Sequence, residues 1–485
     1  MKTLWAECLL LGVVKQFLFT QQHENLSAMI EKIEKFFDIR TRGSSVGIEA
    51  VAGLTTFMTM AYIIFLQPTI MTGQTTGIKT GMDFGALLTG VCVAAAFGSI
   101  LMGLLANYPV ALAPGMGENF FFVLTVFPFC AALPGYSGEP WRLALGVVFM
   151  SGIIFLILSF FRIRQILLKA ISPNLTKAIT AGIGVFIALL GLQNGGLIVS
   201  QGGHYALVNN LEKSSAFIPV LIFVAGLIAT AALHILKTRG SILWGILAGA
   251  IVATITGQLH FDSFPVSLPP DIGPVFAKAD IAGVFNNFLK LLPFIVVFAF
   301  MDVFDTLGTL IGVCTEAKLM KGNDLPNSTK AFAADATATV FGSVCGHSTV
   351  TSFIESATGV EHGGRTGLTA VFTGICFILA AFLAPLITTI AQCSAVTAPA
   401  LVVVGAMMMK NVKDIDWDDY SEAIPSFLIF AGIPFTYSIA DGLTLGFISY
   451  PLIKLFSGKA RETGWLNYIL ALLLVLYLYF VRSLV

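Results

Sequence analysis

Charged residues are scarce in this sequence of 485 residues. Asp, Glu, Lys and Arg together make up only 11% of the chain, against about 25% in an average soluble protein. So few charges cannot cover the surface of a soluble protein of this length. Basic and acidic residues also balance, at 27 each, so no basic excess is available to hold nucleic acid. These shortages argue against a soluble enzyme, a nucleic-acid-binding protein and a disordered scaffold.

The sequence also lacks the motifs that carry catalysis or hold a cofactor. Its seven cysteines are scattered, without a CxxC pair or a Cys/His cluster, so neither a disulfide framework nor a metal site is predicted. It contains no Ser/His/Asp spacing, no phosphate loop of the P-loop type and no HExxH motif. We therefore expect no enzyme, no bound cofactor and no primary active transport by this chain alone.

Long apolar runs are what the sequence does contain. Hydrophobic residues make up 56% of the chain, the mean hydropathy is +0.88, and the runs do not alternate as a β-barrel requires. A helix needs about 20 apolar residues to cross a bilayer. Runs of nearly this length, together with shorter or interrupted ones, give fourteen or fifteen elements. The ambiguity lies at 421–456, where Pro425, Pro434 and the run SIADG either break one element or separate two. The predicted fold class is an all-α polytopic membrane protein.

Residues 1–42 differ from the rest and are predicted to be an N-terminal extension. A short apolar run, interrupted by Glu7 and Lys15, has no clean signal-peptide cleavage site. An amphipathic segment follows, with Met29, Ile30 and Phe36 among its apolar positions, and suits a membrane surface. Clusters of basic residues follow alternate spans, so they lie on one side of the membrane. This side, and the N-terminus with it, is predicted to be cytoplasmic. The clusters are Arg162, Arg164 and Lys169; Lys237 and Arg239; Lys318 and Lys321; Lys410 and Lys413; Lys459 and Arg461.

Two interrupted segments occupy corresponding positions in the two halves of the chain. They read VALAPGMGENFFF at 110–122 and FGSVCGHSTVTSFIESATG at 341–359. Broken helices expose backbone amides and carbonyls, which is tolerated at membrane depth only around a cavity or a ligand. Such a pair indicates the binding site of a transporter built from inverted repeats.

Polar residues inside apolar runs are costly and need a reason. Those near the interrupted segments are Glu118, Asn119, Asp302, Asp305, Asp335 and Glu355. Asp302 and Asp305 are three residues apart and share a helix face, and with Glu355 they favour a site. Asp335 fits a structural role equally well. Glu118 could lie at the membrane interface, and Asn119 could cap a helix.

Three further residues have simpler interpretations. Glu49 begins a span and is expected at the membrane interface. His347 and His362 are expected to be loop or structural residues rather than metal ligands.

Several motifs closely resemble one known family. The runs APGMGENFFF, MDVFDTLGTL, ADATATVFG and STVTSFIESATGVEHGGRTGLTA resemble the AzgA-type hypoxanthine/guanine permeases, a branch of the xanthine/uracil permease superfamily of nucleobase–cation symporters. The resemblance covers about residues 43–485. It implies fourteen transmembrane segments in two inverted repeats of seven, with short strands and half-helices in segments 3 and 10.

The resemblance also implies domains and partners. The core domain would comprise 43–170 and 286–395, and the gate domain 171–285 and 396–485. A homodimer through the gate domain is expected, in the plasma or inner membrane. The partners would be the lipid bilayer and a purine nucleobase, with no nucleic acid.

Family roles carry over to individual residues here. Asn119, Asp302 and Glu355 would bind the substrate, and Asp305 would serve the transport cycle. Glu355 and Asp335 are further candidates for proton coupling. Glu118 departs from the family pattern beside the site, so it is a candidate for setting base preference.

The resulting functional expectation is secondary active import of hypoxanthine, guanine or adenine. Transport would proceed by proton symport with alternating access, and H⁺ would be the co-transported ion. The alternatives are an anion exchanger or a pyrimidine/xanthine carrier on the same fold, and, from another class, a membrane enzyme or a scaffold subunit. Three carboxylates at the site argue against the anion exchanger.

Overall fold

The computed structural model describes residues 29–160, 172–201, 204–208, 214–261, 264–320 and 325–482. The first 28 residues lie outside this description, as do Arg162, Arg164, Lys169 and Lys321 of the basic clusters. The amphipathic segment is described, and residues 29–36 are helical. Its predicted place on a membrane surface stays a prediction.

Helices dominate the first half of the described chain. Its elements are α1 (Val46–Met60), α2 (Tyr62–Met71), α3 (Phe84–Ala106), β1 (Leu112–Pro114), α4 (Met116–Phe121), a π-helical turn (Phe122–Val126), α5 (Phe127–Ala131), α6 (Pro140–Phe160), α7 (Pro173–Asn194), β2 (Ile198–Gln201), β3 (His204–Leu207), α8 (Ser214–Ile235) and α9 (Ser241–Ile255). Side chains mark the helix starts: Ser45 accepts a hydrogen bond from Ile48 N, and Asp83 accepts one from Ala86 N.

The second half has the same character. Its elements are α10 (Ile281–Asn286), α11 (Phe288–Glu316), α12 (Ser328–Val344), β4 (Val350–Ser352), α13 (Ser356–Glu361), α14 (Gly367–Ala380), α15 (Ala384–Ala391), α16 (Ser394–Met408), α17 (Tyr420–Thr436), α18 (Ile439–Phe456) and α19 (Trp465–Arg482). Within the described ranges, nine helical stretches are long and apolar enough to cross a membrane. The expectation of a helical, multi-spanning protein is confirmed.

The ambiguous run at 421–456 is two helices. Pro425 and Pro434 lie inside α17 and do not end it. The helix ends at Tyr437, whose φ of 55° places it in the left-handed region. Ser438 then begins α18 by accepting a hydrogen bond from Asp441 N.

Two of the long apolar runs do not form one continuous helix. The apolar run 46–71 is divided at Ala61 into α1 and α2, and the apolar run 367–390 is divided by a 3₁₀ turn, Ala381–Leu383, into α14 and α15. Pro385 stands in the first turn of α15, where its missing N–H costs nothing. Helix α9 has only 15 residues, so it spans about 22 Å of a hydrocarbon core about 30 Å thick.

The two interrupted segments meet as an antiparallel pair of short strands. In the register, Leu112 pairs with Ser352, and Pro114 pairs with Val350. Each strand is followed within a few residues by a short helix, β1 by α4 and β4 by α13. The strands followed by half-helices that the family resemblance implied are therefore present, and their pairing brings the two halves of the chain together.

Glycine allows the surrounding helices to approach closely. Gly103 of α3 and Gly367 of α14 face each other, and a Cβ atom at either position would overlap the backbone of the other. Small residues at such a crossing are the usual means of packing helices in a membrane. The frequency of glycine in this sequence, 47 residues, thus serves helix packing.

Glu49 is buried, so its interpretation as an interfacial residue is wrong. Its side chain has no solvent exposure, at 0%. The carboxylate accepts hydrogen bonds from Arg365 N at 3.0 Å, from Thr366 N at 3.3 Å and from the Thr369 hydroxyl. These donors stand at the start of α14, where a negative charge is favourable. Glu49 therefore joins α1 to the N-terminus of α14.

We expect Glu49→Ala to destabilise the protein strongly. The substitution leaves two amides and a hydroxyl buried without an acceptor, at a cost of about 2–5 kcal/mol. Thermal unfolding of the detergent-solubilised protein measures the effect, with the exposed Glu316 changed to Ala as the control. Equal melting temperatures for the two variants would contradict this role for Glu49.

Candidate functional site

The candidate site surrounds strand β4, whose three residues each lead to a carboxylate. Thr339 of α12 accepts a hydrogen bond from Val350 N at 3.0 Å and donates one to Asp302 Oδ2 at 2.7 Å. The hydroxyl of Thr351 lies 3.3 Å from Asp305 Oδ2. The strand thus connects to both aspartates of α11, as their shared helix face predicted.

The third strand residue reaches Asp335. Ser352 Oγ donates to Asp335 Oδ1 at 3.0 Å, and Asp335 lies within electrostatic range of Asp302. Asp302 Oδ1 and Asp335 Oδ2 are buried and have no hydrogen-bond partner among the described residues. A proton on either acid removes the repulsion between two neighbouring carboxylates. Asp335 therefore belongs to the carboxylate group around β4.

Glu355 is held at the start of α13 by a tyrosine that the sequence analysis missed. Tyr62 of α2 is buried, and its hydroxyl donates to Glu355 Oε1 at 2.8 Å. Glu355 itself is only 8% exposed and lies within electrostatic range of Asp305. Glu355 and the aspartates of α11 thus lie in one part of the molecule.

Glu118 is buried too, so its interpretation as an interfacial residue is wrong. It is 4% exposed and lies in the short helix α4. A Cβ atom on Gly115 would overlap the carboxylate of Glu118, with the methyl group of Thr351 next in contact. The carboxylate therefore turns back toward the paired strands and faces the same group of acids.

Asn119 is not a helix cap, because it lies within α4 and its side chain is fully buried. Its amide forms a reciprocal pair with Gln67 of α2: Gln67 Nε2 donates to Asn119 Oδ1 at 2.9 Å, and Asn119 Nδ2 donates to Gln67 Oε1. The Ser348 hydroxyl donates to the same Asn119 oxygen. Gln67 was missed although a lone amide in the apolar run YIIFLQPTIM is a usable signal.

Aromatic rings extend from α4 to α7 and α17. The centroids of Phe120 and Phe186 are 6.1 Å apart, and those of Phe186 and Tyr437 are 5.1 Å apart, both with edge-to-face geometry. The hydroxyl of Tyr437 donates to Gln193 Oε1 at 2.9 Å. These rings form an edge-to-face cluster that begins at the buried Phe120, the residue after Asn119. The acceptors of the carboxylate group suit a ligand that carries N–H groups.

A separate cavity of about 580 Å³ lies among α8, α9 and α15. Its lining is largely apolar and includes Trp244, Ile251 and Leu386. Such a lining lacks the convergent polar groups that orient a heterocyclic ligand. The carboxylate group around β4 is therefore the better candidate for ligand recognition.

Comparison with known proteins gives a consistent result. The model of the permease family Xan_ur_permease matches residues 47–445. The guanine/hypoxanthine permease PbuO of Bacillus subtilis is 39% identical over 91% of this chain and 99% of its own. The adenine permease AdeP of Escherichia coli is 37% identical over 96% of this chain and 100% of its own. These relatives are named as permeases, which confirms the prediction of a transporter rather than an enzyme.

A solved structure shares the fold. The transmembrane domain of the cyanobacterial bicarbonate transporter BicA superposes with a TM-score of 0.58, covering 82% of this chain and 96% of that domain. Sequence identity is only 16%, so the likeness concerns the fold alone.

Proposed function

The chain belongs to the xanthine/uracil permease family, and from this we propose that it imports purine nucleobases by proton symport with alternating access. The substrate class is supported by relatives named for guanine, hypoxanthine and adenine. The observation that carries the proposal is the group of buried carboxylates around β4, next to the aromatic rings of α4 and α7.

The proposed architecture is fourteen segments in two inverted repeats of seven, in the plasma or inner membrane, with a cytoplasmic N-terminus. The core domain is 43–170 and 286–395, and the gate domain is 171–285 and 396–485, through which two copies pair. The antiparallel β1–β4 pair supports the repeats. Arg239 Nε donates to His362 Nε2 at 2.8 Å, a contact between proposed gate and core that would break as the domains move.

In the proposed site, three residues bind the base. Glu355 and Asp302 accept hydrogen bonds from its N–H groups, and Asn119 donates to a ring nitrogen. The ring of Phe120 supplies apolar surface beside Asn119. The half-helix amides after β1 and β4 add donors.

Proton coupling is proposed to reside in the aspartates of α11 and α12, together with Glu355. A charged carboxylate away from water is costly, and a proton removes that cost. Asp302 and Asp335 lie within electrostatic range of each other, and each has one buried oxygen without a hydrogen-bond partner among the described residues. Asp305 lies one helical turn from Asp302. Binding of the proton would neutralise the site before it moves past the gate, with H⁺ as co-substrate and no further cofactor.

We expect cells that lack their own purine permeases to accumulate labelled hypoxanthine, guanine or adenine when they express this chain. Uptake should rise in acidic medium and collapse with a protonophore, because an inward proton gradient drives it. Cells carrying an empty vector are the control. Uptake that follows the sodium gradient and ignores the protonophore would refute proton coupling, and absence of any purine uptake would refute the substrate class.

We expect Glu118 to set the preference among bases. Its buried carboxylate is an extra acceptor, which favours a base with more N–H groups, such as guanine with its exocyclic amine. Glu118→Leu should weaken competition of guanine against labelled hypoxanthine by about tenfold, which corresponds to one hydrogen bond of about 1.4 kcal/mol, and leave adenine competition unchanged. Glu316→Leu is the control and should leave the competition by guanine and adenine unchanged. If Glu118→Leu is expressed normally and also leaves this competition unchanged, Glu118 has a structural role only.

A further inference from the structure

Gln67 occupies the centre of a buried network that joins three broken segments. It lies in α2, its amide partner Asn119 lies in α4, and Ser348 lies just ahead of β4. Gln67 and Asn119 are both 0% exposed. Because Gln67 and Ser348 both donate to Asn119 Oδ1, this oxygen has both of its lone pairs engaged.

His347 is the second partner of the Gln67 amide nitrogen. Its Nδ1 lies 3.1 Å from Gln67 Nε2. An amide nitrogen only donates, so Nδ1 accepts this hydrogen bond and the ring proton belongs on Nε2. His347 Nε2 lies against Gly90 of α3 and has no hydrogen-bond partner among the described residues.

The orientation of Gln67 then determines what Asn119 offers to a ligand. One N–H of Gln67 is directed to His347 and the other to Asn119, while Gln67 Oε1 accepts from Asn119 Nδ2. Asn119 is left with one N–H and no vacant acceptor. A carboxamide that is free to rotate would instead offer a donor or an acceptor with equal ease.

We propose that Gln67 is a specificity-determining residue, which holds Asn119 so that it presents only an N–H donor to the substrate. The inference rests on the proposed function, in which Asn119 contacts the base. The ligand must then carry a ring nitrogen acceptor opposite Asn119, together with the N–H groups that Glu355 and Asp302 accept. Purine bases with unsubstituted ring nitrogens have both features.

Deaza analogues test this directly, because each replaces one ring nitrogen by C–H and so removes one acceptor. Competition against labelled hypoxanthine uptake is measured with hypoxanthine, 3-deazahypoxanthine and 7-deazahypoxanthine. In the wild type, at least one analogue should compete about tenfold less well than hypoxanthine, because it leaves the Asn119 N–H unpaired. In Gln67→Met, where Asn119 can rotate, the ratio of the competition by hypoxanthine to that by the weaker analogue should fall to about threefold or less.

Two further variants make the outcome decisive. Gln67→Asn keeps a carboxamide on a side chain that is shorter by one methylene, so it breaks the hydrogen bonds with Asn119 and disturbs the packing less. The ratio between hypoxanthine and the weaker analogue should fall as it does in Gln67→Met. Gln392→Met, at an exposed glutamine, should keep the wild-type ratio. A fluorescent tag measures the amount of each variant in the membrane. If Gln67→Met does not reach the membrane, the result for Gln67→Asn tests the inference.

Two results would overturn the inference. One is that both analogues compete as well as hypoxanthine in the wild type, and the other is that a transporting Gln67 variant keeps the wild-type ratio. A wild-type protein that takes up no purine would instead refute the proposed function, so the two failures are distinguishable.

Discussion

Glu355→Gln will take up no labelled purine above background, although the protein will still reach the membrane. The substituted side chain keeps a carbonyl oxygen that can accept the hydrogen bond that Tyr62 donates to Glu355 at 2.8 Å, so the local structure survives. Its amide group, however, places N–H donors against the N–H groups of the base. Loss of a charge-assisted acceptor and exposure of an unpaired donor should reduce uptake by about 100-fold or more.

Glu361→Gln is the matched control for this experiment. Glu361 ends the same short helix, α13, but it is exposed, so the same chemical change there should leave uptake at the wild-type level. Initial rates are normalised to the amount of protein in the membrane. Uptake by Glu355→Gln within twofold of the control would contradict the assignment of Glu355 to substrate binding.

The parts of the site that the sequence predicted are those set by local spacing. Asp302 and Asp305 share a face because three residues make nearly one helical turn, and the glycine-, serine- and threonine-rich segments predict broken helices. Both features depend on neighbours in the chain, which a sequence displays directly. The strands β1 and β4 were expected only from the family resemblance, because their pairing joins segments far apart in the chain.

The parts that escaped prediction depend on partners far apart in the chain. Asn119 meets Gln67 across 52 residues, and Glu49 meets Thr366 across 317. A buried acid and an interfacial acid look alike in a sequence, because only the donors that surround the carboxylate distinguish them. The interfacial interpretations of Glu49 and Glu118 therefore failed, whereas the candidacy of Glu118 for base preference and of Asp335 for proton coupling stays a prediction. The hydrogen bond from Ser352 to Asp335 was not visible in the sequence.

The proximity of Asp335 to Asp302 makes a second large effect predictable, because the two acids lie within electrostatic range of each other. Each acid has one oxygen held by a hydroxyl, from Ser352 and Thr339 respectively. Their remaining oxygens, Asp335 Oδ2 and Asp302 Oδ1, have no hydrogen-bond partner among the described residues. A proton on either acid removes their mutual repulsion, and its loss restores that repulsion. The two acids therefore have two charge states that a proton gradient can bias.

Asp335→Asn should uncouple transport from the proton gradient while leaving base exchange intact. The amide group that this substitution introduces is uncharged, so it removes the repulsion with Asp302 permanently, as a proton would, and its oxygen can still accept from Ser352. Concentrative uptake should fall by about tenfold or more, the equivalent of at least about 1.4 kcal/mol of lost driving force, and the rise in acidic medium should disappear. Counterflow of labelled base in preloaded vesicles should continue, because Glu355 and Asn119 are unchanged.

Asp271→Asn, at an exposed acid, serves as the control. An Asp335→Asn protein that still accumulates base in response to acid would show that the coupling proton binds elsewhere.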